Sequence, residues 1–250
     1  MCIITIAKIV NKIKIFLMEL LWPIHCLNCG QEGFILCPSC QKDIKKRQHL
    51  ACPRCGKLST YGAVCPTCCH KIHIDGLIFY ADYQQNLIKG LIGYWKYKYV
   101  KPAGELIIDL LIQDLEYFVK DDEFLPFGNQ KEILIIPVPI HKKKYLKRGF
   151  NQSEIIANAI GKKFNWPIAA SIIERVKNTD SQTKLNKEAR KQNIANAFRI
   201  KDASALKNKN ILLVDDVYTS GATTEELAKN IKKYTSEKIW VIVFAKQNFS

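Results

Sequence analysis

The chain has 250 residues, 48% of them hydrophobic, which bounds it to one substantial core plus a small appended module. Its formal charge of +15 at pH 7 fits a polyanionic partner, whether nucleic acid, a nucleotide-like ligand or an acidic membrane surface. Abundant Lys, Ile and Asn also follow from AT-rich coding, so charge alone does not identify DNA.

Residues 1–21 place Ile6, Ile9, Val10, Ile13, Phe16, Leu17 and Leu20 on one face of a helix. Lys8, Lys12, Lys14 and Glu19 interrupt every long apolar run and no small-residue cleavage site follows, which excludes a signal peptide or a membrane span. The segment is expected to be an amphipathic helix that packs on the protein's own body, with peripheral membrane or partner contact as the alternative. The chain is therefore read as cytoplasmic, where paired cysteines favour metal over disulfide.

Nine of the ten cysteines lie between Cys26 and Cys69, which sets a composition boundary near Ile72. Four Cys-x-x-Cys pairs follow one another: Cys26/Cys29, Cys37/Cys40, Cys52/Cys55 and Cys65/Cys68. The first and third end in glycine and the second and fourth read Cys-Pro-Ser/Thr-Cys, so the module over residues 22–72 is a repeat. Two tetrahedral Cys₄ zinc sites, the first four and the second four cysteines, are the simplest assignment, with a crossed pairing as the alternative. His25, Cys69, His70 and His73 are read as bystanders.

Beyond Ile72, apolar and amphipathic stretches alternate. The pattern predicts strand Ile74–Tyr83, helices Gln85–Tyr97 and Pro102–Lys120, and a polar loop over Asp121–Gln130. Strand Glu132–Val138, a basic loop, helix Gln152–Phe164, strand Ala170–Glu174 and a long polar loop to about Asn186 come next. Helix Lys187–Ala197, strand Asn210–Asp215, helix Ala222–Tyr234 and strand Lys238–Ala245 complete the series. Strands alternating with helices argue an α/β fold, a mainly parallel sheet with helices on both faces.

Three segments carry candidate chemistry. Residues 137–152 run off a buried strand and place five cations, Lys142, Lys143, Lys144, Lys147 and Arg148, beside His141, Tyr145 and Phe150. They suit a diphosphate or a nucleic-acid backbone with aromatic stacking, while a solvated charged loop is the plain alternative. The polar stretch from Arg175 through Gln182 to Leu185 suits a flap over a charged substrate, with ordinary surface mobility as the alternative. In Tyr94–Lys101 aromatics and lysines interleave, and Trp95 is either a stacking face or, at helical spacing, core with snorkelling lysines.

The most specific stretch is Ile211–Thr224. A buried apolar strand leads to Asp215 and Asp216, then to the hydroxyl-rich turn Thr219-Ser220-Gly221, and Ala222 and Thr223 open a helix. First-turn N–H groups lack intrahelical partners and favour an anion, while two carboxylates accept from hydroxyls, so a sugar phosphate fits. An ATPase reading needs a glycine-rich loop ending Gly-Lys-Ser/Thr, and the chain has none.

This stretch matches the phosphoribosyl-diphosphate (PRPP) motif of type I phosphoribosyltransferases. Together with Leu20-Leu-Trp-Pro23, the cysteine pairs, Pro137-Val-Pro-Ile-His141, Arg148-Gly-Phe-Asn-Gln152 and Arg175 through Phe198, it resembles the ComF family (competence protein F). The resemblance implies a type I phosphoribosyltransferase-like domain over residues 73–250 behind a double zinc ribbon. It also implies a role in natural transformation, acting on single-stranded DNA beside an uptake helicase. By position it implies that Asp215 and Asp216 hold the ribose and Thr219, Ser220, Gly221, Ala222 and Thr223 the 5′-phosphate. His141, Lys142, Arg148, Arg175 and Gln182 then meet a diphosphate carrying Mg²⁺. Three roles stay open: a DNA-binding competence factor, a PRPP-dependent transferase of unknown acceptor, and a PRPP-sensing scaffold without turnover.

Overall fold

Four apolar runs build the main sheet because each is covered on both faces, which favours uninterrupted branched aliphatics over alternation. In the computed structural model, which describes residues 23–120, 123–124, 126–127, 132–178 and 193–247, these are β1 (Gly76–Asp82), β4 (Ile133–Pro137), β7 (Asn210–Tyr218) and β8 (Ile239–Lys246). They pair in the order β1-β8-β7-β4, and every pairing is parallel. Two small antiparallel pairs stand apart: β2 (Val119–Lys120) with β3 (Glu123–Phe124), and β5 (Ile173–Arg175) with β6 (Phe198–Ile200).

Side chains alternate across the sheet. One face gathers Ile211 and Leu213 of β7, Val241 and Val243 of β8, and Leu77 and Phe79 of β1. Leu227, Ala228 and Ile231 of helix Ala222–Ile231 cover that face, together with Ile173 and Phe198 of the β5–β6 pair. Against β4 and β7 on the opposite face packs helix Gln152–Phe164, whose Ile156 and Ile160 are fully buried. Apart from the single turn Pro38–Gln41, the α-helices among the described residues are, in chain order, α1 (Asn86–Tyr97), α2 (Lys101–Leu115), α3 (Lys142–Arg148), α4 (Gln152–Phe164) and α5 (Ala222–Ile231). The helices that follow the neighbouring strands β4 and β7 thus lie on opposite faces, which opens a crevice at the carboxyl ends of those strands.

Several expectations are corrected. The basic loop is helical over Lys142–Arg148, because His141 Nδ1 accepts from Lys143 N at 3.2 Å and Gly149, at φ 78°, ends the turn. The strand expected at Ala170–Glu174 is Ile173–Arg175 and pairs only with β6, outside the parallel sheet. Strand β7 continues past Asp215 to Tyr218, so both acids sit within its last turns of pleat rather than at its end. Helix α2 stops at Leu115, followed by a 3₁₀ turn at Glu116–Phe118. The helix expected over residues 1–21 and most of Lys187–Ala197 lie outside the described residues.

The chain divides at Ile44/Lys45 into two compact units. Residues 23–44 carry the first cysteine tetrad. The second tetrad folds with the sheet: Lys46 bridges Ala81, Ala63 bridges Gly76, and Val64 N donates to Asp75 O at 2.8 Å. A composition boundary near Ile72 therefore does not coincide with the boundary of compactness. Among the described residues, no helix is long and apolar enough to cross a membrane.

Candidate functional site

In both cysteine modules the ligand sulfurs gather as the simplest assignment expects. Cys26, Cys29, Cys37 and Cys40 form one cluster and Cys52, Cys55, Cys65 and Cys68 the other, all ligand atoms within 4.8 Å of one another. Cys29–Cys37 and Cys55–Cys65 sulfurs lie 3.6 and 3.5 Å apart, close to the edge of about 3.8 Å that a tetrahedron with Zn–S near 2.3 Å requires. Crossed pairing is excluded among the described residues, and no histidine joins either cluster.

The repeat extends to the hydrogen bonds. Ser39 Oγ meets Cys37 Sγ at 3.0 Å and Thr67 Oγ1 meets Cys65 Sγ at 3.2 Å. Gly30 and Gly56, at φ 76° and 75°, turn the first and third pairs. At Cys26 burial opposes ionisation, but N–H groups of Cys29, Cys37 and Asn28 win and bring the thiol down to about 6. The Thr67 hydroxyl leads the lowering of Cys65 to about 6. Burial and the neighbouring cysteines push Cys68 up to about 12. Four thiolates in one cage need a divalent cation, and the donor set fits zinc.

The second constellation lies at the crevice between β4 and β7. Asp215 Oδ1 accepts from Ser153 Oγ at 2.8 Å and from Asp216 N at 2.9 Å. Burial, reinforced by the adjacent Asp216 charge, raises the Asp215 carboxyl to about 7 against the pull of Ser153 and Lys96. Asp216 is buried and accepts from Lys96 Nζ through both oxygens, at 2.8 Å and 2.7 Å. Burial works against the Lys96 ammonium, but Asp216 and Asp215 outweigh it and hold the pKa above its usual value.

Beyond the acids, Thr219 and Ser220 turn the chain and Gly221 caps α5 at φ 74°. A Cβ on Gly221 would collide with the Tyr218 ring and hydroxyl, so only glycine lets the loop close. Ala222 N points to Ser220 Oγ at 3.4 Å, and Thr223 opens the helix on its partly exposed side. The first-turn N–H groups and the positive helix end thus face the crevice mouth. Burial pushes the Tyr218 phenol up, with Glu225 and Cys52 adding and Arg54 opposing.

The expected cationic residues divide. Arg148 donates to Gln152 Oε1 at 3.1 Å and lies 5.6 Å over the Tyr97 ring. Arg175, 5.7 Å over Phe198, is lowered by burial while the Asp215 carboxylate opposes the shift. His141 spends its ring nitrogen capping α3, and Lys142, Lys143 and Lys147 project from that helix into solvent, with Lys144 half-buried. Gln182 lies outside the described residues.

Two segments that are separate in sequence meet here. The Tyr99 hydroxyl donates to Lys147 O at 2.8 Å, and Phe150 stacks 6.3 Å from Trp95. Trp95 is only 3% exposed, which fits the core alternative rather than a stacking face. Phe150 is half-buried against Trp95 and Tyr99. Tyr94, Tyr97, Tyr99 and Tyr145 are the exposed aromatics of this surface.

Sequence reasoning missed Lys96 and Ser153. Ser153 follows directly on Arg148-Gly-Phe-Asn-Gln152, in which Asn151 caps α4 and ties Val138 O at 3.1 Å. Gln152 is 1% exposed and its Nε2 has no partner among the described residues, leaving a buried donor beside Arg148.

Comparison with known proteins adds two family matches: Double zinc ribbon domain over residues 17–69 and Phosphoribosyl transferase domain over residues 146–249. Competence protein F of Haemophilus influenzae is 30% identical over 224 residues, 87% of this chain and 93% of that protein. Competence protein ComFC of Bacillus subtilis is 28% identical over 78% of this chain and 76% of its own length. DNA utilization protein YhgH of Escherichia coli K12 is 26% identical over 78% and 82%. A double cysteine cage, a phosphoribosyl transferase domain and identity running through nearly all of Competence protein F place this chain in the ComF family.

Proposed function

We propose that the crevice binds phosphoribosyl diphosphate and that the protein handles single-stranded DNA in competence. The observation that supports the first part is the sequence of groups along β7 into α5: two buried acids, a hydroxyl turn, then a helix start. Ribose hydroxyls donate to Asp215 and Asp216, and the 5′-phosphate meets the N–H groups of Thr219–Thr223. Arg148 and Arg175 offer their charge to the diphosphate. Asp216 is engaged by Lys96 and Asp215 by Ser153, and a Mg²⁺ ion accompanying the ligand would supply charge neutralisation at the diphosphate beside Arg148 and Arg175.

The DNA part draws on the named relatives and on the surface where α1 meets α3. Tyr97 is 65% exposed and Tyr145 46%, among Lys98, Lys142, Lys143 and Lys147. Exposed π-faces interleaved with cations suit a single strand, whose bases stack while the lysines neutralise phosphates. The contacts proposed are therefore these tyrosines and lysines with Arg148.

The test is calorimetry with phosphoribosyl diphosphate and Mg²⁺, paired with oligonucleotide binding across a salt series. Binding lost in Asp215→Asn/Asp216→Asn, and single-strand affinity falling steeply with salt, support the reading. Absent ligand binding, or salt-insensitive association, overturns the corresponding half.

A second reading, PRPP-dependent transfer, is favoured by one observation. An acid raised to about 7 in the site suits proton acceptance from a nucleophile that attacks the anomeric carbon as diphosphate departs. Diphosphate release with a panel of bases and amines tests it, and no release with any acceptor removes it.

A further inference from the structure

The two acids of the crevice are held differently, and the difference traces to one side chain from a distant helix. Lys96 lies in the last turn of α1. Its neighbour Trp95 is locked between Phe150 and α2, where a Cβ on Gly104 would strike the indole ring. That packing sets the rotation of α1, so the Lys96 stem runs inward and leaves the side chain 16% exposed. A lysine that merely snorkelled would carry its ammonium into water. Here Nζ reaches both oxygens of Asp216, at 2.8 Å and 2.7 Å.

We propose that Lys96 is a positioning residue of the ribose subsite, holding the Asp216 carboxylate turned so that vicinal hydroxyls of a ribose phosphate meet it as an acceptor. This rests on the reading of the crevice as a phosphoribosyl site. A carboxylate offers about four lone-pair directions, and the ammonium takes two, so acceptor capacity is left for a hydroxyl. Without the cation, two adjacent buried carboxylates repel, the Asp216 side chain loses the partner that orients it, and a carboxyl that takes up a proton is left a weaker acceptor. Asp216 faces Lys96 from α1 and Asp215 from its own strand. Asp215 accepts from Ser153 of α4 and its charge is felt at Arg175 of β5, while the charge of Arg148 is felt at Lys96.

The alternative is a strut that fastens α1 to β7 and does nothing for ligand. Calorimetry on the full chain separates the two, using ribose 5-phosphate and inorganic phosphate as probes, because only the sugar needs the acids. Wild type binds ribose 5-phosphate more tightly than phosphate. Lys96→Gln loses about tenfold or more toward ribose 5-phosphate, changes phosphate by less than about twofold, and Lys96→Arg restores part of the loss. Because the two residues act as a unit, Lys96→Gln/Asp216→Asn binds no more weakly than Asp216→Asn alone.

Equal losses toward both probes, no loss, or fully additive losses in the double variant overturn the proposal. Where Lys96→Gln fails to fold, as judged by its thermal midpoint, the comparison of Asp216→Asn with the charge-free double variant decides, and a further loss in the double overturns it. A wild type without preference for ribose 5-phosphate over phosphate overturns the ribose-subsite reading itself, and this proposal with it.

Discussion

The Tyr218 hydroxyl stands where a side chain on Gly221 would have to be. The turn between β7 and α5 is therefore closed by the residue that ends β7, and the absence of a Cβ and a φ of 74° are demanded together. Gly221→Ala should cost about 2–4 kcal/mol, from the left-handed backbone and from overpacking, and should weaken phosphate binding by re-aiming the first turn of α5. Urea unfolding gives the first number and calorimetry the second. The ring carbon Cζ would also collide with that Cβ, so Gly221→Ala should cost less in a Tyr218→Leu background than in wild type, and an equal cost would mean that the collision is not what excludes a side chain.

Asp215 gives the protein a pH dependence of definite sign. Its carboxyl is raised to about 7, so between the unfolded value near 4 and about 7 the native state holds a proton that the unfolded chain has lost. This contribution to stability is present at low pH and is lost as pH rises through that window, by an amount on the order of a few kcal/mol. Ribose-dependent affinity should move the other way, rising toward pH 8 as the acid ionises. Chemical denaturation from pH 4 to 8 should show a slope that flattens in Asp215→Asn, and an unchanged slope would remove Asp215 as its source.

Loss of the two zinc ions should not be equivalent. Cys65 belongs to the unit that contains the sheet, through Ala63–Gly76 and Val64–Asp75, whereas Cys26 belongs to the unit ending at Ile44. Cys65→Ser should lower the melting midpoint of the sheet and raise amide exchange in β1. Cys26→Ser should confine its exchange changes to residues up to 44. Identical β1 exchange in the two variants would refute the asymmetry.

Asp114 is 2% exposed near the end of α2, where it pairs with Arg47 and, at 2.5 Å, with Lys46. Arg47 also donates to Phe79 O at 2.5 Å and lies 5.2 Å from the Phe118 ring centroid. Asp114→Asn strands a buried guanidinium and should cost about 3–5 kcal/mol. Replacing Arg47 and Asp114 together by apolar residues of similar volume should cost much less. Denaturant midpoints at constant slope decide, and a double replacement as costly as the single would show that packing dominates the pair.

The strands were legible because Ile211–Val214 and Ile239–Val243 are apolar without interruption, and the cages because the four cysteine pairs repeat. The acids and the phosphate turn were legible because they are contiguous in sequence. Helix α3 was not, since five of its seven residues are cationic and its ends are fixed from outside, by the His141 cap, Gly149 and the Tyr99 hydroxyl. Lys96 was hidden for a different reason. Its partner lies 120 residues away, and a lysine in an aromatic stretch carries no local mark of pointing inward. Strand β5 was placed in the wrong sheet because three residues of pairing leave no periodicity to read.

The sheet order β1-β8-β7-β4 has a consequence for how the protein can be cut. The transferase match begins at residue 146, after β1 and β4 have already been laid down. A fragment taken at that limit keeps the two inner strands and discards both outer ones, exposing a bare hydrogen-bonding edge on each side, and it also leaves Asp216 without its ammonium partner. The transferase match is thus smaller than the sheet it belongs to, and an expression boundary drawn at that limit should yield an aggregating ribbon.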